Sequence, residues 1–161
     1  MKIAIMSDSH DHLENLRKAI DIAKQQGSEI LIHCGDFCAP FVMDELANFP
    51  GEVHCVFGNI DDRFLTSKKA EENKINLYGN IVKLNLSGKN IFITHLPEIA
   101  KAFALTSEFD AVFYGHTHKQ KKETINNTLL LNPGEIMGRK EKPSFAIYDT
   151  ETGDAEFFRI D

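Results

Sequence analysis

The sequence predicts an α/β protein in which two packed β-sheets carry helices on their outer faces. In the first 60 residues, short apolar runs alternate with helical patterns, which indicates parallel strands joined by right-handed crossovers. From about Ile75 onward, strand-like runs follow one another with short turns between them. The chain has 161 residues and no linker, internal repeat or low-complexity stretch. We therefore expect a single domain that spans residues 1–161.

Three short apolar runs in the first half are typical of strands buried on both faces. They span residues 2–7, 30–34 and 53–57. Between the first two runs, four apolar residues recur at spacings of three and four, which places them on one face of a helix. They are Leu13, Leu16, Ile20 and Ala23. Gly27 is placed to end that helix, and residues 40–48 carry a shorter helical pattern.

The second half of the chain contains eight strand-like runs. They span residues 75–78, 80–88, 89–95, 111–116, 121–125, 127–132, 145–150 and 155–160. Residues 86–90 and 150–154 have the composition of hairpin turns, and residues 97–105 are predicted to form one more helix. The whole chain is therefore expected to form two packed, interleaved sheets with helices outside.

Composition and charge exclude several classes of protein. Apolar residues make up 42% and charged residues 26% of the chain, which is typical of a globular protein. The N-terminal run turns polar too early for a signal peptide, and no stretch approaches the roughly 20 apolar residues of a membrane span, so a cytoplasmic protein without a membrane partner is expected. The net charge of -6 argues against an extended nucleic-acid surface, although it allows a small anionic substrate held by metal ions.

Five apolar runs each end in a small polar cluster. In chain order the clusters are Asp8-Ser9-His10, Gly35-Asp36, Gly58-Asn59, His95 and Gly115-His116-Thr117-His118. In open α/β sheets, ligands bind in the crevice beyond the carboxyl ends of the strands. We therefore expect the five clusters to meet along one edge of the fold.

The residue types in these clusters indicate metal binding. Four imidazoles, two carboxylates and an amide oxygen form a nitrogen and oxygen set without a thiolate, which suits Mn²⁺, Fe, Zn²⁺ or Ni²⁺. Taken singly, each cluster is also compatible with a helix cap, an ordinary turn or a hydrogen-bonded core histidine. Seven ligands exceed the needs of one tetrahedral ion but suit two ions bridged by a carboxylate. Asp36, which follows a central strand, is the natural bridge.

The order of the motifs resembles that of the calcineurin-like metallophosphoesterase superfamily. The shared pattern is Asp-x-His, Gly-Asp, Gly-Asn-x-Asp, a histidine at a strand end and Gly-His-x-His, and it covers Met1 to about Gly134. The short chain resembles the small prokaryotic phosphodiesterase subfamily. This resemblance implies an α/β (α+β) four-layer sandwich of two mixed β-sheets flanked by helices. It also implies two metal sites joined by Asp36, one with Asp8, His10 and His118, the other with Asn59, His95 and His116.

The resemblance further implies a metal-dependent phosphodiesterase in which a hydroxide that bridges two divalent ions attacks phosphorus. Asp36, Asn59 and His95 would then be catalytic, and Mn²⁺ is the preferred ion, with Ni²⁺, Zn²⁺ and Fe as the other candidates. A small phosphodiester is the expected substrate, and relatives often form dimers or tetramers. Two alternatives stay open: a catalytically weak or inactive protein-interaction scaffold of the same fold, as in a eukaryotic retromer subunit, and a nuclease of the same superfamily.

The sequence departs from the family pattern at two positions. Many relatives have histidine where this chain has Ile60, so the proton donor for the leaving group is unassigned. His12 is a weak candidate for that role, and a solvated helix-start position is its simpler interpretation. Leu96 follows His95 where relatives usually have glycine, which predicts altered geometry around that histidine.

Several other residues are assigned from their local sequence. Asn59 and Arg139 are candidates for contacts with the substrate phosphate, since guanidinium groups bind phosphate oxygens by paired hydrogen bonds. A solvated position in a charged loop is an equally good interpretation of Arg139. Asn132-Pro133-Gly134 resembles the family's closing loop, and it is also compatible with an ordinary turn. His33 and His54 lie inside strands and are expected to be structural. The three cysteines are expected to be reduced, small buried residues, since their number is odd and no export signal is evident. They are Cys34, Cys38 and Cys55.

Overall fold

The computed structural model describes residues 1–161 as eleven strands and four helices. The strands are β1 (Lys2–Met6), β2 (Ile30–His33), β3 (Glu52–Cys55), β4 (Asn76–Leu77), β5 (Ile81–Leu86), β6 (Lys89–Thr94), β7 (Ala111–Phe113), β8 (Gln120–Ile125), β9 (Thr128–Pro133), β10 (Ser144–Asp149) and β11 (Asp154–Arg159). The helices are α1 (Leu13–Gln25), α2 (Val42–Leu46), α3 (Arg63–Glu72) and α4 (Pro97–Ala104).

The strands form two mixed sheets. The first sheet has six strands in the order β11-β10-β1-β2-β3-β4. Its strands β1 to β4 run parallel, while β10 and β11 pair in antiparallel fashion at one side. The second sheet has the order β5-β6-β7-β9-β8, with three parallel strands in the centre and an antiparallel strand at each edge. The predicted β-α-β-α-β order of the first 60 residues is confirmed.

Three apolar cores separate four layers. Successive residues of a strand point to opposite faces of the sheet, so Met6 packs with Leu16 of α1 on the helix side of the first sheet. Ile5 packs with Phe113 of β7 between the two sheets. On the far side of the second sheet, Phe92 packs against α4. The layers are therefore helix, sheet, sheet and helix, as the family resemblance implied.

Most predicted boundaries agree with the observed elements. Helix α1 ends before Gly27, whose φ of +76° is the left-handed conformation that commonly terminates a helix. The predicted hairpin at residues 86–90 joins β5 to β6 through Ser87 and Gly88, at φ values of 51° and 78°. Helix α2 is shorter than the predicted segment 40–48. Helix α4 matches the predicted segment 97–105 to within one residue.

Helix α3 is the element that the sequence pattern does not predict. Its buried face consists of Thr66 and Ala70, while Phe64 and Leu65 are exposed, so no apolar stripe marks it. The helix begins at a conventional cap, because the Asp62 side chain accepts a hydrogen bond of 2.8 Å from the Leu65 N–H. None of the four helices combines the length and the apolar character required to cross a membrane.

Candidate metal centre

The five polar clusters meet at one edge of the two sheets, where the carboxyl ends of β1, β2, β3, β6 and β7 lie side by side. Two groups of side chains could each hold an ion, and all ligand atoms within a group lie within 4.8 Å of one another. One group contains Asp8, His10, Asp36 and His118, and the other contains Asp36, His95 and His116. Asp36 is common to both groups.

The first group is arranged around the carboxylate of Asp8. His118 Nε2 lies 3.3 Å from Asp8 Oδ1. His10 Nε2 lies 3.8 Å from the same oxygen and 3.6 Å from Asp36 Oδ2. Two imidazole nitrogens and oxygens from two carboxylates therefore face a common point, which is the donor set that a divalent transition metal prefers.

The second group adds an amide oxygen to two imidazoles. His95 Nε2 lies 3.3 Å from Asp36 Oδ2 and 3.1 Å from Asn59 Oδ1. His116 Nδ1 lies 2.8 Å from Asn59 Oδ1 and 3.3 Å from His95 Nε2. The amide oxygen of Asn59 thus joins the two imidazoles and the carboxylate of this group. The same oxygen, Asp36 Oδ2, faces both groups.

The backbone is strained at this edge of the fold. Five of the seven residues have positive φ values: Asp8 (54°), His10 (42°), Asp36 (60°), His116 (69°) and His118 (64°). This region is unfavourable for side-chain-bearing residues, at roughly 1–3 kcal/mol each, and such residues concentrate at functional sites.

The hydrogen bonds of Asp8 leave one oxygen directed into the cluster. Ser7 Oγ donates to Asp8 Oδ2 at 2.6 Å, and the His116 N–H donates to the same oxygen at 3.1 Å. Asp8 Oδ1 and His10 Nε2 are buried and have no hydrogen-bond partner. Buried polar atoms without partners are costly. Because these two atoms face one another across the first group, the residues fit a bound divalent cation.

Two imidazoles are oriented by hydrogen bonds at their outer nitrogens. His95 Nδ1 donates to the Cys34 carbonyl at 2.8 Å, and His118 Nδ1 donates to Glu135 Oε2 at 2.5 Å. Each bond leaves the Nε2 lone pair directed toward the cluster, as in the usual carboxylate-histidine-metal or carbonyl-histidine-metal arrangement. Glu135 is fully buried, and its Oε1 accepts from the N–H groups of Lys140 and Glu141.

Asp61 ties together the loops that follow β2 and β3. Its Oδ2 accepts hydrogen bonds from the N–H groups of Asp36 (3.1 Å) and Gly58 (2.7 Å). Its Oδ1 accepts from those of Phe37 (2.6 Å) and Cys38 (3.0 Å). Burial raises the pKa of the Asp61 carboxyl, and the bonds from the backbone N–H groups act in the opposite direction. Asp61, the fourth residue of the Gly-Asn-x-Asp motif, therefore holds residues 36–38 of one loop close to Gly58 of the other.

Two glycines allow the loops to approach closely. A Cβ at position 58 would lie 2.0 Å from Asp36 Oδ1, and a Cβ at position 115 would lie 1.9 Å from Ser7 Oγ. Both distances are well inside van der Waals contact. A side chain at position 58 would displace the carboxylate of Asp36, and one at position 115 would displace Ser7, which donates to Asp8. The glycines of Gly-Asn and Gly-His-x-His are therefore required by the site itself.

The carboxylates and imidazoles of the cluster shift one another's pKa values. The nearby carboxylate of Asp8 raises the pKa of His10 against the opposing effect of burial. Burial acts to lower the pKa of His95, but the close contact with Asp36 and the charges of Asp8 and Asp36 together raise it. Burial acts to raise the pKa of Asp36, but its contacts with His95 and His10 and the Ile60 N–H lower it. Ionised carboxylates in a partly buried site attract cations.

The two strand histidines have structural contacts. His33 is completely buried, and burial lowers its pKa to about 3. Its Nδ1 accepts from the Gly35 N–H at 3.2 Å, so Nε2 carries the proton toward Ser9 Oγ at 3.1 Å. His54 contacts the Tyr78 hydroxyl at 3.1 Å. Neither residue belongs to the metal-ligating groups.

The weaker candidates lie outside the two groups. His12 is exposed, and its Nδ1 accepts a hydrogen bond of 3.3 Å from the Asn15 N–H as the cap of α1. Arg139 is exposed in the loop before β10. Asn132 is fully buried, and its Nδ2 donates to the Gly115 carbonyl at 2.7 Å, so the Asn-Pro-Gly segment supports the loop that carries His116 and His118.

The expectation for the cysteines is right at two positions and wrong at the third. Cys34 and Cys55 are buried. Cys38 is only half-buried, because the loop after Asp36 turns at this residue with a φ of 69°. Its sulfur lies 3.5 Å from His10 Nδ1. Burial raises the pKa of the Cys38 thiol to about 11, so the neutral thiol contacts the imidazole.

The residue after His95 does not need to be glycine. Leu96 has φ and ψ values of -89° and 127°, an ordinary extended conformation, and it precedes Pro97 at the start of α4. The predicted disturbance is absent from the contacts of His95, whose Nε2 faces both Asp36 and Asn59.

Comparison with known proteins shows the family to which this fold belongs. Residues 1–153 match the family model of the calcineurin-like phosphoesterase superfamily domain. The chain is 36% identical over 156 residues to Phosphodiesterase MJ0936 of Methanocaldococcus jannaschii, covering 94% of each protein. It matches the solved structure of an archaeal phosphodiesterase with a TM-score of 0.91 at 35% identity, covering 99% of both chains. The fold also matches YfcE, an E. coli phosphoesterase, with a TM-score of 0.72 at 19% identity over the full length of both. The chain belongs to the calcineurin-like phosphoesterase superfamily.

Proposed function

We propose that residues 1–161 form a single catalytic domain that hydrolyses phosphodiesters with the help of two divalent metal ions. The observation that carries this proposal is the position of Asp36 Oδ2, which faces His10 Nε2 at 3.6 Å and His95 Nε2 at 3.3 Å. One carboxylate oxygen between two nitrogen and oxygen donor sets is suited to a pair of neighbouring ions. The relative Phosphodiesterase MJ0936 supports a diester as the substrate.

Seven side chains would hold the ions, in the two groups already described. When bound, the ions would lower the pKa of a coordinated water and neutralise the phosphate charge. Nitrogen and oxygen donors without a thiolate suit Mn²⁺, which we propose as the preferred ion, and also Ni²⁺, Zn²⁺ or Fe. His95 and His118 are held by the Cys34 carbonyl and by Glu135, so their Nε2 atoms are oriented before any ion binds.

Water is the proposed nucleophile, because no side chain at the site is suited to attack phosphorus. Ser7 and Ser9 are completely buried and hydrogen-bonded to Asp8 and His33. The raised pKa of Cys38 keeps its thiol protonated near neutral pH. Asn59 and Arg139 are proposed to contact the substrate phosphate.

Metal removal tests the proposal directly. Protein stripped with a chelator is expected to lose hydrolysis of bis(p-nitrophenyl) phosphate by at least about a thousandfold, since the charge stabilisation supplied by two ions is worth several kcal/mol. Addition of Mn²⁺, Ni²⁺ or Zn²⁺ should restore turnover and two ions per chain, measured by mass spectrometry of the metals. A chain that binds two ions but hydrolyses no phosphoester would instead support the scaffold alternative.

Replacement of Glu135 is expected to weaken one metal group selectively. In Glu135→Gln, the His118 imidazole loses its carboxylate partner, and metal affinity should fall by roughly 10–100-fold. Calorimetric titration of the metal into this variant would show one binding event with weakened affinity and one with unchanged affinity. Glu141→Gln is the matched control, because Glu141 contributes only its backbone N–H to this network. Equal affinities in the two variants would contradict the role assigned to Glu135.

The absence of an imidazole at position 60 predicts a preference for good leaving groups. Ile60 is 44% exposed and cannot donate a proton. A general acid accelerates the departure of a poor leaving group by roughly 10²–10⁴-fold. Without one, alkyl phosphodiesters should react at least about a hundredfold more slowly than aryl phosphodiesters. Ile60→His should narrow this gap, because it supplies a proton donor beside Asn59. Comparable kcat/KM values for both substrate classes in the wild type would contradict the inference.

A further inference from the structure

A small pocket adjoins the second metal-ligating group. It is close to 160 Å³ in volume, and Asn59 and His95 form part of its wall. The wall also includes Phe57, Arg63, Asn80, Leu96 and Ile99. Because two proposed metal ligands belong to this wall, a substrate whose phosphate is held at the cluster can place one ester group in the pocket.

The pocket combines apolar walls with one cation. Phe57, Leu96 and Ile99 supply the apolar surface. The guanidinium carbon of Arg63 lies 4.8 Å from the centre of the Phe57 ring. Its Nη2 donates to Asn80 Oδ1 at 2.5 Å, so the planar group is held in place from two sides.

The size and the lining favour a single aromatic ring. A cavity of about 150 Å³ is known to accommodate benzene, whereas larger ligands need more space. A guanidinium group stacks on aromatic faces, and one face of the Arg63 group is already directed toward Phe57. A ring in the pocket can therefore contact the Arg63 guanidinium together with Leu96 and Ile99.

We infer that this pocket binds one ring-sized aromatic ester group of the substrate, and that Leu96, Ile99 and Arg63 determine this specificity. The inference rests on the proposed function, because the phosphate is assumed to lie at the metal cluster. It narrows the substrate class to phosphodiesters with an aryl or single-ring heteroaromatic substituent. Leu96, which departs from the glycine usual in the family, gains a function as part of the pocket wall.

Two phosphonates test the pocket separately from the metal cluster. Methylphosphonate and phenylphosphonate carry the same anionic group but differ in the ring. Both should compete with bis(p-nitrophenyl) phosphate in the Mn²⁺-loaded protein, and phenylphosphonate should bind about tenfold more tightly because its ring is buried. The inhibition constants give the ratio directly, and calorimetry provides a second measurement that does not depend on turnover.

Two variants test whether the phenyl ring of phenylphosphonate binds in this pocket. Ile99→Trp fills the pocket and should reduce the ratio of the two inhibition constants to about one. Arg63→Met, at an exposed position that tolerates substitution, should lower the ratio about threefold through loss of stacking. Leu105→Trp is the matched control, since Leu105 is 53% exposed at the end of α4 and does not line the pocket.

The outcomes distinguish the two proposals. Equal affinity of the wild type for both phosphonates would overturn the pocket assignment while leaving the metal site intact. Retention of the preference in both Ile99→Trp and Arg63→Met would also overturn it. If neither phosphonate bound to the metal-loaded protein, the phosphate site itself would be wrong, and with it the proposed function and the pocket.

Discussion

Asp36→Asn is expected to reduce the hydrolysis of bis(p-nitrophenyl) phosphate by roughly a thousandfold or more. Asparagine has the same shape as aspartate but lacks the charge of Oδ2, the oxygen that faces both His10 and His95. Loss of that charge weakens both metal groups at once, so several kcal/mol of transition-state stabilisation disappear. Initial rates and metal content, measured on the same preparations, would show whether activity and bound metal fall together.

The control for this variant is Asp21→Asn, which makes the same chemical change on the exposed surface of α1, where Asp21 pairs with Lys24. It should leave both metal content and turnover unchanged. An Asp36→Asn protein that retained two ions per chain and wild-type turnover would exclude Asp36 as the bridging ligand.

Asp61→Asn is expected to destabilise the protein by about 3 kcal/mol, because its side chain accepts four backbone hydrogen bonds. An amide can replace only one of the two oxygens, and its NH₂ group would face two N–H donors. For a chain of this length the loss corresponds to a Tm lower by about 6–12 °C. Thermal unfolding monitored by circular dichroism would measure it.

The neighbouring residue provides a matched control. Asp62→Asn makes the identical change at the cap of α3, where the side chain accepts one bond from Leu65. Aspartate and asparagine are nearly equivalent as helix caps, so its Tm should stay close to that of the wild type. Similar Tm values for the two variants would show that Asp61 does not hold the two loops together.

The geometry of the site could be predicted because it depends on a general property of parallel strands. Asp8, Asp36 and Asn59 each follow one of three adjacent parallel strands, so their sequence positions determine the edge at which they meet. The motifs themselves contain the ligand-bearing residues, and the structure brings all seven together. The role of each as a ligand stays a prediction until metal binding is measured.

Other features of the site depend on contacts that sequence spacing does not reveal. Glu135 reaches His118 across 17 positions of chain, through the segment that leaves β9. Asp61 closes the Gly-Asn-x-Asp motif, but its four acceptor contacts arise only when the loops after β2 and β3 lie side by side. Helix α3 was not predicted, because its buried residues are Thr66 and Ala70 and no continuous apolar stripe marks it in the sequence.

The left-handed backbone at the metal-ligating residues places two opposing demands on which amino acids can occupy these positions during evolution. Glycine at Asp8, His10, Asp36, His116 or His118 would relieve an unfavourable φ angle, yet it would remove a ligand side chain. Selection for stability and selection for metal binding therefore act in opposite directions at the same five codons.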